Sequence, residues 1–309
     1  MTEHLILITG GTGKVGSRAV AQLRAKGVPV RVGSRSGEPR FDWTDRTTWD
    51  AALDGVKKVF IVPHDGLLLT RPFVARAKEL GVERVVLLSG RGVDVPGYAG
   101  EDSVAGKTHI DGEDAVRTCG LEWTIVRPAW FAQNFSEGFF RDAIMAGELR
   151  LPAGDGAASF VDAEDIAAVA VAALTEDTHA GRTYELSGPS AVAIDEAVAL
   201  ISGATGRTVR YVPLSSEDFV AELVTEGWPK ADAEDFADAV GPIRRGMDSH
   251  LSDGVRSALG REPRSFAQFV ADATAAGAWR DRPDGRPVPA GGRPYENAPA
   301  SVKCGGRNT

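Results

Sequence analysis

A glycine-rich loop near the start of the sequence constrains the fold more than any other feature. Gly10, Gly13 and Gly16 follow the apolar run 5–8 and open an amphipathic stretch, in the pattern G-x-x-G-x-x-G. Glycine permits a tight turn and close main-chain approach, and the free N–H groups at a helix start favour a phosphate. The loop therefore predicts a strand–turn–helix unit that binds the pyrophosphate of a dinucleotide. The residues expected to contact it are Gly10, Thr12, Gly13, Lys14, Val15 and Gly16.

The first half of the chain alternates short aliphatic runs with longer amphipathic segments. Uninterrupted aliphatic runs are typical of strands buried on both faces of a parallel sheet. Glycines just past the amphipathic segments, such as Gly27 and Gly81, are typical helix stops. The pattern predicts an α/β fold, a Rossmann-type doubly wound parallel sheet. The expected strands cover 5–8, 28–32, 59–62, 85–88 and 123–126, and the expected helices cover 15–26, 46–53, 71–80 and 104–119.

The second half is less regular and predicts a smaller, mostly helical lobe on the substrate side. We expect residues 1–150 to form the nucleotide-binding domain and 151–280 to form the lobe, some of whose elements complete the sheet. Residues 281–309 are rich in Pro and Gly and predict an extended or disordered tail, or an arm on a neighbouring subunit. In the second half, helices are expected at 135–146, 165–174, 194–202 and 216–225, with strands at 184–186 and 209–212.

Net charge and cysteine content restrict the partners. The net charge is −8 at pH 7, whereas a nucleic-acid surface shows a basic excess, so no nucleic-acid partner is expected. The two cysteines have no paired spacing and the five histidines are scattered, so we expect a reducing compartment and no metal site. No apolar run is long enough for a signal peptide or a membrane span. We expect a cytoplasmic monomer or homodimer that acts on a small molecule.

The end of the second expected strand bears on which dinucleotide is bound. Units that bind NAD(H) tend to carry an acidic residue there, which accepts a hydrogen bond from the ribose 2′-hydroxyl. Here the sequence has Ser34 and Arg35 and no acid. A guanidinium forms paired, charge-assisted hydrogen bonds with phosphate oxygens, so Arg35 favours the 2′-phosphate of NADP(H) over NAD(H).

Several motifs spread over residues 5–269 form a recognisable set. They are the glycine loop, Phe41-Asp42-Trp43-Thr44-Asp45, residues 85–89, residues 123–131 with Asn134, and Phe160-Val161-Asp162. Together they resemble the NmrA-like atypical short-chain dehydrogenase/reductases. The segment from Arg35 to Trp43 is most similar to the ergot-alkaloid reductase branch, which includes agroclavine dehydrogenase-like enzymes. The resemblance implies a Rossmann fold that uses NADP(H) for reduction.

The resemblance also implies roles at the matching positions. Asp42 and Trp43 would lie beside the adenine, and Ser89 would end the strand that carries a catalytic serine in ordinary members. The further residues expected at the cofactor are Val62, Pro63, Arg127 and Pro128. The residues expected to shape the substrate pocket are Trp130, Phe131 and Phe135, with Phe139, Trp228 and Met247 from the second lobe.

The Tyr-x-x-x-Lys motif of ordinary members is absent from the sequence. In that motif the tyrosine donates a proton to the carbonyl oxygen, and the lysine lowers the pKa of the tyrosine. Two registers are possible in the helix that would carry it. Either Ser103 and Lys107 occupy the two places, or Ala105 and His109 do, which fits the downstream spacing better. In the second register, His109-x-x-x-Glu113 resembles a motif of some NmrA-like quinone reductases. The candidate catalytic residues are therefore His109, Lys107 and Ser89.

Loss of the tyrosine favours acceptors that need little help from a proton donor. Reduction of a ketone without a donor would leave an unstabilised alkoxide in a dry pocket. A conjugated, quinone-like or iminium-like acceptor is already activated or delocalises the charge, so the cofactor's hydride suffices. We therefore expect an NADPH-dependent reductase of a small, mostly apolar acceptor of this kind. Two alternatives stay open: a non-enzymatic regulator that senses NADP(H), and an enzyme whose proton comes from Tyr98 or from a water held by Ser89.

Overall fold

The aliphatic runs of the first half form buried strands of one parallel sheet. The computed structural model describes residues 4–98 and 103–280. Leu7 and Ile8 are fully buried, and each residue of the strand that ends at Leu88 is buried, because helices cover both faces of the sheet. The strands are β1 (Leu5–Thr9), β2 (Val30–Gly33), β3 (Val56–Ile61), β4 (Arg84–Leu88), β5 (Glu122–Pro128), β6 (Glu148–Leu151), β7 (Ala157–Ala158), β8 (Arg182–Leu186), β9 (Val192–Ala193) and β10 (Arg210–Pro213).

Helices pack on both faces of this sheet through apolar stripes. The first helix buries Val15, Ala19 and Leu23, which recur at helical spacing and meet the sixth helix on one face. Helices two to four cover the opposite face. The helices are α1 (Lys14–Ala25), α2 (Trp49–Leu53), α3 (Thr70–Glu79), α4 (Val104–Thr118), α5 (Phe139–Ala146), α6 (Ala163–Thr175), α7 (Ile194–Thr205), α8 (Ser216–Thr225), α9 (Lys230–Arg244), α10 (Gly254–Leu259) and α11 (Phe266–Ala275). Short 3₁₀ helices span Arg46–Thr48 and Ala132–Phe135.

The order of strands in the sheet identifies where a ligand can bind. The order is β2-β1-β3-β4-β5-β8, and all the pairings are parallel. Strands β2 and β3 lie on opposite sides of β1, so the strand order reverses there. A crevice opens at this point between the carboxyl ends of β1 and β3. Gly10 follows β1 and Val62 follows β3 at this crevice. The predicted Rossmann-type doubly wound fold is confirmed.

The second half contributes to both parts of the molecule. Helix α6 and strand β8 belong to the layers of the large sheet, whereas α5, α7, α8, α9 and α11 enclose a separate apolar core. Strands β6 and β10 pair in parallel and lie against that core. The predicted division at 150/151 falls inside β6, so the chain passes into the lobe without a linker there.

Two predicted helices are interrupted in the structure. The stretch predicted at 135–146 divides into the 3₁₀ helix Ala132–Phe135 and α5, because Gly138 is extended and forms the N-cap of α5. The stretch predicted at 46–53 divides into Arg46–Thr48 and α2. The predicted tail 281–309 lies outside the described residues. Within residues 4–98 and 103–280, no helix has the length and apolar character needed to cross a membrane.

Candidate functional site

The glycine loop after β1 is too tightly folded to accept side chains. Gly10 has φ +61°, in the left-handed region, and its carbonyl oxygen accepts a hydrogen bond from the Gly13 N–H at 2.9 Å. A Cβ on Gly16 would lie 2.2 Å from the same carbonyl oxygen. The turn thus exposes main-chain N–H groups at the start of α1, where the helix dipole favours an anion. This cradle fits the pyrophosphate of a dinucleotide.

A groove built from two adjoining cavities runs past the glycine loop. The outer cavity of about 510 Å³ lies towards β2, and the inner cavity of about 370 Å³ lies towards β4. Gly10, Gly13, Val62 and Pro63 line both cavities, so the two are continuous at the crevice between β1 and β3. The predicted cofactor residues that line the groove are Gly10, Thr12, Gly13, Lys14, Val15, Gly16, Ser34, Arg35, Asp42, Trp43, Val62 and Pro63.

Arg35 and Ser34 lie at the outer end of the groove, beyond β2. The Arg35 side chain is exposed and forms no ion pair with the residues that the structure describes. Arg31, in contrast, donates to the carbonyl oxygens of Ala52 and Asp54 at 2.8 and 2.7 Å and so fixes α2 to β2. Among the described residues Arg35 is thus a cation at the groove without an ion-pair partner, and its contact with a 2′-phosphate stays a prediction.

Asp42 and Trp43 border the same outer cavity in different ways. The Trp43 ring packs edge-on against Phe41 and donates from Nε1 to the Val62 carbonyl at 3.2 Å, so most of it belongs to the core. The Asp42 carboxylate accepts hydrogen bonds from Thr44 and Arg40. Partial burial would raise the pKa of Asp42, but these hydrogen bonds outweigh it and hold the pKa below its ordinary value.

Lys14 links the glycine loop to the second half of the chain. Its Nζ donates to Asn134 Oδ1 at 3.1 Å, and a Cβ on Gly138 would lie 2.9 Å from that Nζ. Burial lowers the pKa of Lys14, although the nearby Glu137 carboxylate opposes the shift. The sequence signal for this contact is weak, because Lys14 and Asn134 are far apart in the chain and meet only in the fold.

Ser89, Arg127 and Pro128 do not line the groove, which corrects their predicted places at the cofactor. The Ser89 hydroxyl is buried and donates to Glu113 Oε1 at 2.6 Å. Arg127 donates to both carboxylate oxygens of Glu113 at 2.7 Å and to Asp94 at 2.7 Å. Pro128 is buried at the end of β5, where it pairs with β8. The polar groups of Ser89 and Arg127 are thus bonded to Glu113, and the three residues form a structural cluster beneath α4.

The two registers for the missing Tyr-x-x-x-Lys motif place their residues differently. Ser103 is the N-cap of α4 and accepts from the Gly106 N–H at 2.9 Å, and Lys107 is exposed on the helix surface. The first register therefore brings no group to the two cavities described above, and a catalytic role for Lys107 stays a prediction. In the second register His109 lies against the end of β4, and a Cβ on Gly90 would lie 3.5 Å from its ring. The side chain of Ala105 lies outside the described residues.

The two alternative proton sources, Tyr98 and a water held by Ser89, depend on hydroxyl groups that already form hydrogen bonds with other residues. The Tyr98 hydroxyl donates to Asp248 Oδ1 at 2.5 Å. Burial and the Asp248 carboxylate raise the pKa of Tyr98, which makes its hydroxyl a poorer acid than a free tyrosine. Ser89, which would hold a water, is only 3% exposed and bonded to Glu113.

The predicted substrate pocket is partly rearranged. Phe131 lines the inner cavity, and Trp130 is half-buried and stacks on Phe140 at 6.3 Å between ring centroids. Phe135 has no exposed surface and packs edge-on against Phe140, Phe160 and Phe266, so it belongs to the core of the lobe. The assignment of Phe135 to the pocket is therefore wrong.

The three lobe residues also named for the pocket have different places. Trp228 stacks on Phe236 at 5.9 Å between ring centroids and packs on the core of the lobe. Met247 is half-buried. The side chain of Phe139 lies outside the described residues.

Asp65 is a groove residue that the sequence analysis does not identify. It follows β3 by four residues and lines the inner cavity together with Leu88 and Phe131. The available signal is its position, because residues after the carboxyl end of a parallel strand at the switch point face the ligand crevice.

Comparison with known proteins agrees with this geometry. A family model described as NAD(P)H-binding matches residues 10–177. The NAD(P)H azoreductase of Xenophilus azovorans is 33% identical over 293 residues, which cover 89% of this chain and 100% of that protein. Agroclavine dehydrogenase of Claviceps fusiformis is 32% identical over 286 residues, which cover 86% of this chain and 96% of that protein. The structure of an NADPH-dependent quinone oxidoreductase from Escherichia coli, complexed with NADPH, has a TM-score of 0.74 at 25% identity and covers 87% of this chain and 99% of that chain.

The groove and the comparisons define a dinucleotide-binding Rossmann protein. The chain belongs to the NAD(P)H-binding family. The predicted resemblance to atypical short-chain dehydrogenase/reductases, and to agroclavine dehydrogenase among them, is confirmed.

Proposed function

We propose that this protein is an NADPH-dependent reductase that transfers hydride to a small, apolar, conjugated acceptor such as a quinone, an azo compound or an iminium ion. The observation that carries the proposal is the inner cavity, which joins the pyrophosphate cradle and has Leu88 and Phe131 in its wall. The names of its relatives as reductases and dehydrogenases support the class of reaction.

Among the described residues no tyrosine hydroxyl is free at the groove, which argues for activated acceptors. The tyrosine hydroxyls of the described residues bond elsewhere: Tyr98 with Asp248, Tyr184 with His179, and Tyr211 with the Gly154 carbonyl. A simple ketone therefore lacks the strong tyrosine-type donor that its alkoxide needs. A quinone or iminium acceptor spreads or neutralises the developing charge itself.

The chain's own residues bind and orient the reactants. The glycine cradle and Lys14 would hold the pyrophosphate, and Arg35 with Ser34 would hold the 2′-phosphate, which supports NADPH over NADH. When bound, NADPH supplies the hydride. Phe131 and Leu88 offer an apolar surface that excludes water from the acceptor.

Turnover with a chemically graded panel tests the proposal. Purified protein is mixed with NADPH and a quinone, an azo dye, an iminium salt or an unactivated ketone, and NADPH loss is followed by absorbance. We expect faster oxidation of NADPH with the conjugated and iminium acceptors than with the ketone. Tight NADPH binding without oxidation by any acceptor would refute the reductase and favour the regulator that senses NADP(H).

A further inference from the structure

The inner cavity contains a carboxyl group that no role yet explains. Asp65 lines it beside Leu88 and Phe131, and among the described residues the charged groups that act on its carboxylate are histidines, with no Lys or Arg. Burial raises the pKa of Asp65, although the histidines nearby oppose the shift. A carboxyl in such surroundings favours its neutral form, which can donate a proton.

His109 lies on α4, next to the residue of that helix that holds the loop of Asp65. The loop that carries Asp65 is fixed to this helix, because the Gly66 N–H donates to Thr108 Oγ1 at 3.0 Å. His109 Nδ1 is buried and has no hydrogen-bond partner among the described residues. Burial lowers the pKa of His109, and the opposing charges are Asp65 and Glu113. The neutral imidazole therefore has a nitrogen available for a proton.

We propose that Asp65 donates the proton that completes reduction of the acceptor, and that His109 positions and reprotonates it. The proposal rests on the reductase function argued above. When hydride adds to a quinone, an oxygen anion forms, and the Asp65 O–H bond breaks as the new O–H bond forms. The negative charge on Asp65 then favours uptake of a proton from water by His109. Transfer of that proton to Asp65 restores both groups to their neutral forms.

The charged groups around the pair come from each neighbouring element. His64 precedes Asp65 in the same loop, and its Nδ1 contacts the Asp65 carbonyl at 2.8 Å. Lys14 of α1 lines the same cavity, and Glu113 lies one helical turn beyond His109. Glu113 is already bonded to Ser89 and Arg127, so it does not compete for the proton.

Two acceptors that differ in their need for a proton test the role of Asp65. A quinone needs one proton after hydride addition, whereas a quaternary iminium salt becomes a neutral amine and needs none. We expect Asp65→Asn to lower kcat with the quinone by about 100-fold or more and to leave kcat with the iminium salt within about threefold, since general acid catalysis contributes roughly 10²–10⁴. Asp114→Asn is the matched control, because Asp114 lies exposed on α4 and pairs with Arg71.

The pH profile separates positioning by His109 from a merely structural role. Asp65 must be protonated to act, so kcat with the quinone falls as pH rises through the pKa of Asp65. This fall in kcat disappears in Asp65→Asn. His109→Gln removes the base that takes a proton when Asp65 is charged, so the pKa of Asp65 rises and the fall in kcat moves to higher pH. We expect NADPH affinity to stay unchanged.

Equal slowing of both acceptors by Asp65→Asn, or slowing of neither, would overturn the proposal and leave the reductase function intact. Failure of the unaltered protein to reduce either acceptor would overturn the reductase function itself, and with it the role of Asp65.

Discussion

Replacing Glu113 by glutamine removes the charge that binds together the polar cluster beneath α4. The Glu113 side chain is 3% exposed, and it accepts hydrogen bonds from Ser89 at 2.6 Å and from two nitrogens of Arg127 at 2.7 Å. Arg117 adds a contact at 2.8 Å. An amide presents an N–H group where these donors need an oxygen, and the Arg127 guanidinium, on a side chain only 12% exposed, loses its main counter-charge.

The cost follows from this burial. Removing one partner of a buried ion pair destabilises a protein by about 3–5 kcal/mol. With an unfolding entropy of about 2.1 cal/mol/K per residue, this corresponds to a fall in Tm of roughly 5–8 °C for a chain of this length. Calorimetric melting measures the shift. The matched control is Asp94→Asn, because Asp94 contacts the same Arg127 but is 61% exposed, and its loss should cost about 0–1 kcal/mol.

Acid titration provides a second measurement with a definite sign. Burial would raise the pKa of Glu113, but the hydrogen bonds from Arg127 and Ser89 outweigh it and hold the pKa below its ordinary value. A group with a depressed pKa in the folded state stabilises above its unfolded pKa, and this stability is lost as pH falls through the folded pKa. The stability gap between the unaltered protein and Glu113→Gln should therefore narrow as pH falls below the ordinary glutamate pKa of about 4.3. Equal Tm shifts for Glu113→Gln and Asp94→Asn would refute the reasoning, as would loss of NADPH affinity without loss of stability.

Other variants test the groove and the core. Arg35→Ala should weaken NADPH binding by about 10–100-fold and NADH binding by less than about threefold in titration calorimetry, because charged hydrogen bonds contribute about 1.5–3 kcal/mol. The control Arg24→Ala, on the exposed side of α1, should change the affinity for neither cofactor. Equal weakening of both cofactors by Arg35→Ala would contradict the 2′-phosphate contact. Gly16→Ala should weaken both cofactors together, since its Cβ would lie 2.2 Å from the Gly10 carbonyl oxygen; unchanged binding in the same titration argues against the cradle. Phe135→Ala should destabilise the lobe by about 3–5 kcal/mol in a denaturant melt and leave KM unchanged, and a raised KM at full stability would return Phe135 to the pocket.

Local sequence signals predict the first half of the fold well. The glycine loop and the aliphatic runs depend on nearby residues alone, so the strands at 5–8 and 85–88 match β1 and β4 closely. The groove follows from the same rules, because residues after the carboxyl ends of parallel strands converge at the switch point. Arg35, Val62 and Pro63 are all placed at the groove by their position after a strand.

Side chains at the strand ends are harder to assign, because the face on which each lies depends on tertiary packing. Ser89 and Arg127 end neighbouring strands, but both contact Glu113 of α4 rather than the groove. Nothing in the local sequence of β4 or β5 shows that a buried carboxylate lies beneath α4. Phe135 is misplaced for a related reason: an aromatic residue beside Phe131 suits a pocket or a core equally, and only the packing of Phe160 against it decides.

The two carboxyl groups that act on the pKa of His109 show how the fold shifts the pKa values of similar residues in opposite directions. Glu113 has arginine partners at hydrogen-bond distance, so its charged form is stabilised despite burial. Asp65 has no such partner among the described residues, so burial dominates and its neutral form is favoured. Divergent pKa shifts in neighbouring groups are what acid–base chemistry at one pH requires. Because an arginine paired with Asp65 would abolish this difference, a variant that introduces a cation into the same loop, such as Leu67→Arg, should suppress quinone reduction while iminium reduction persists.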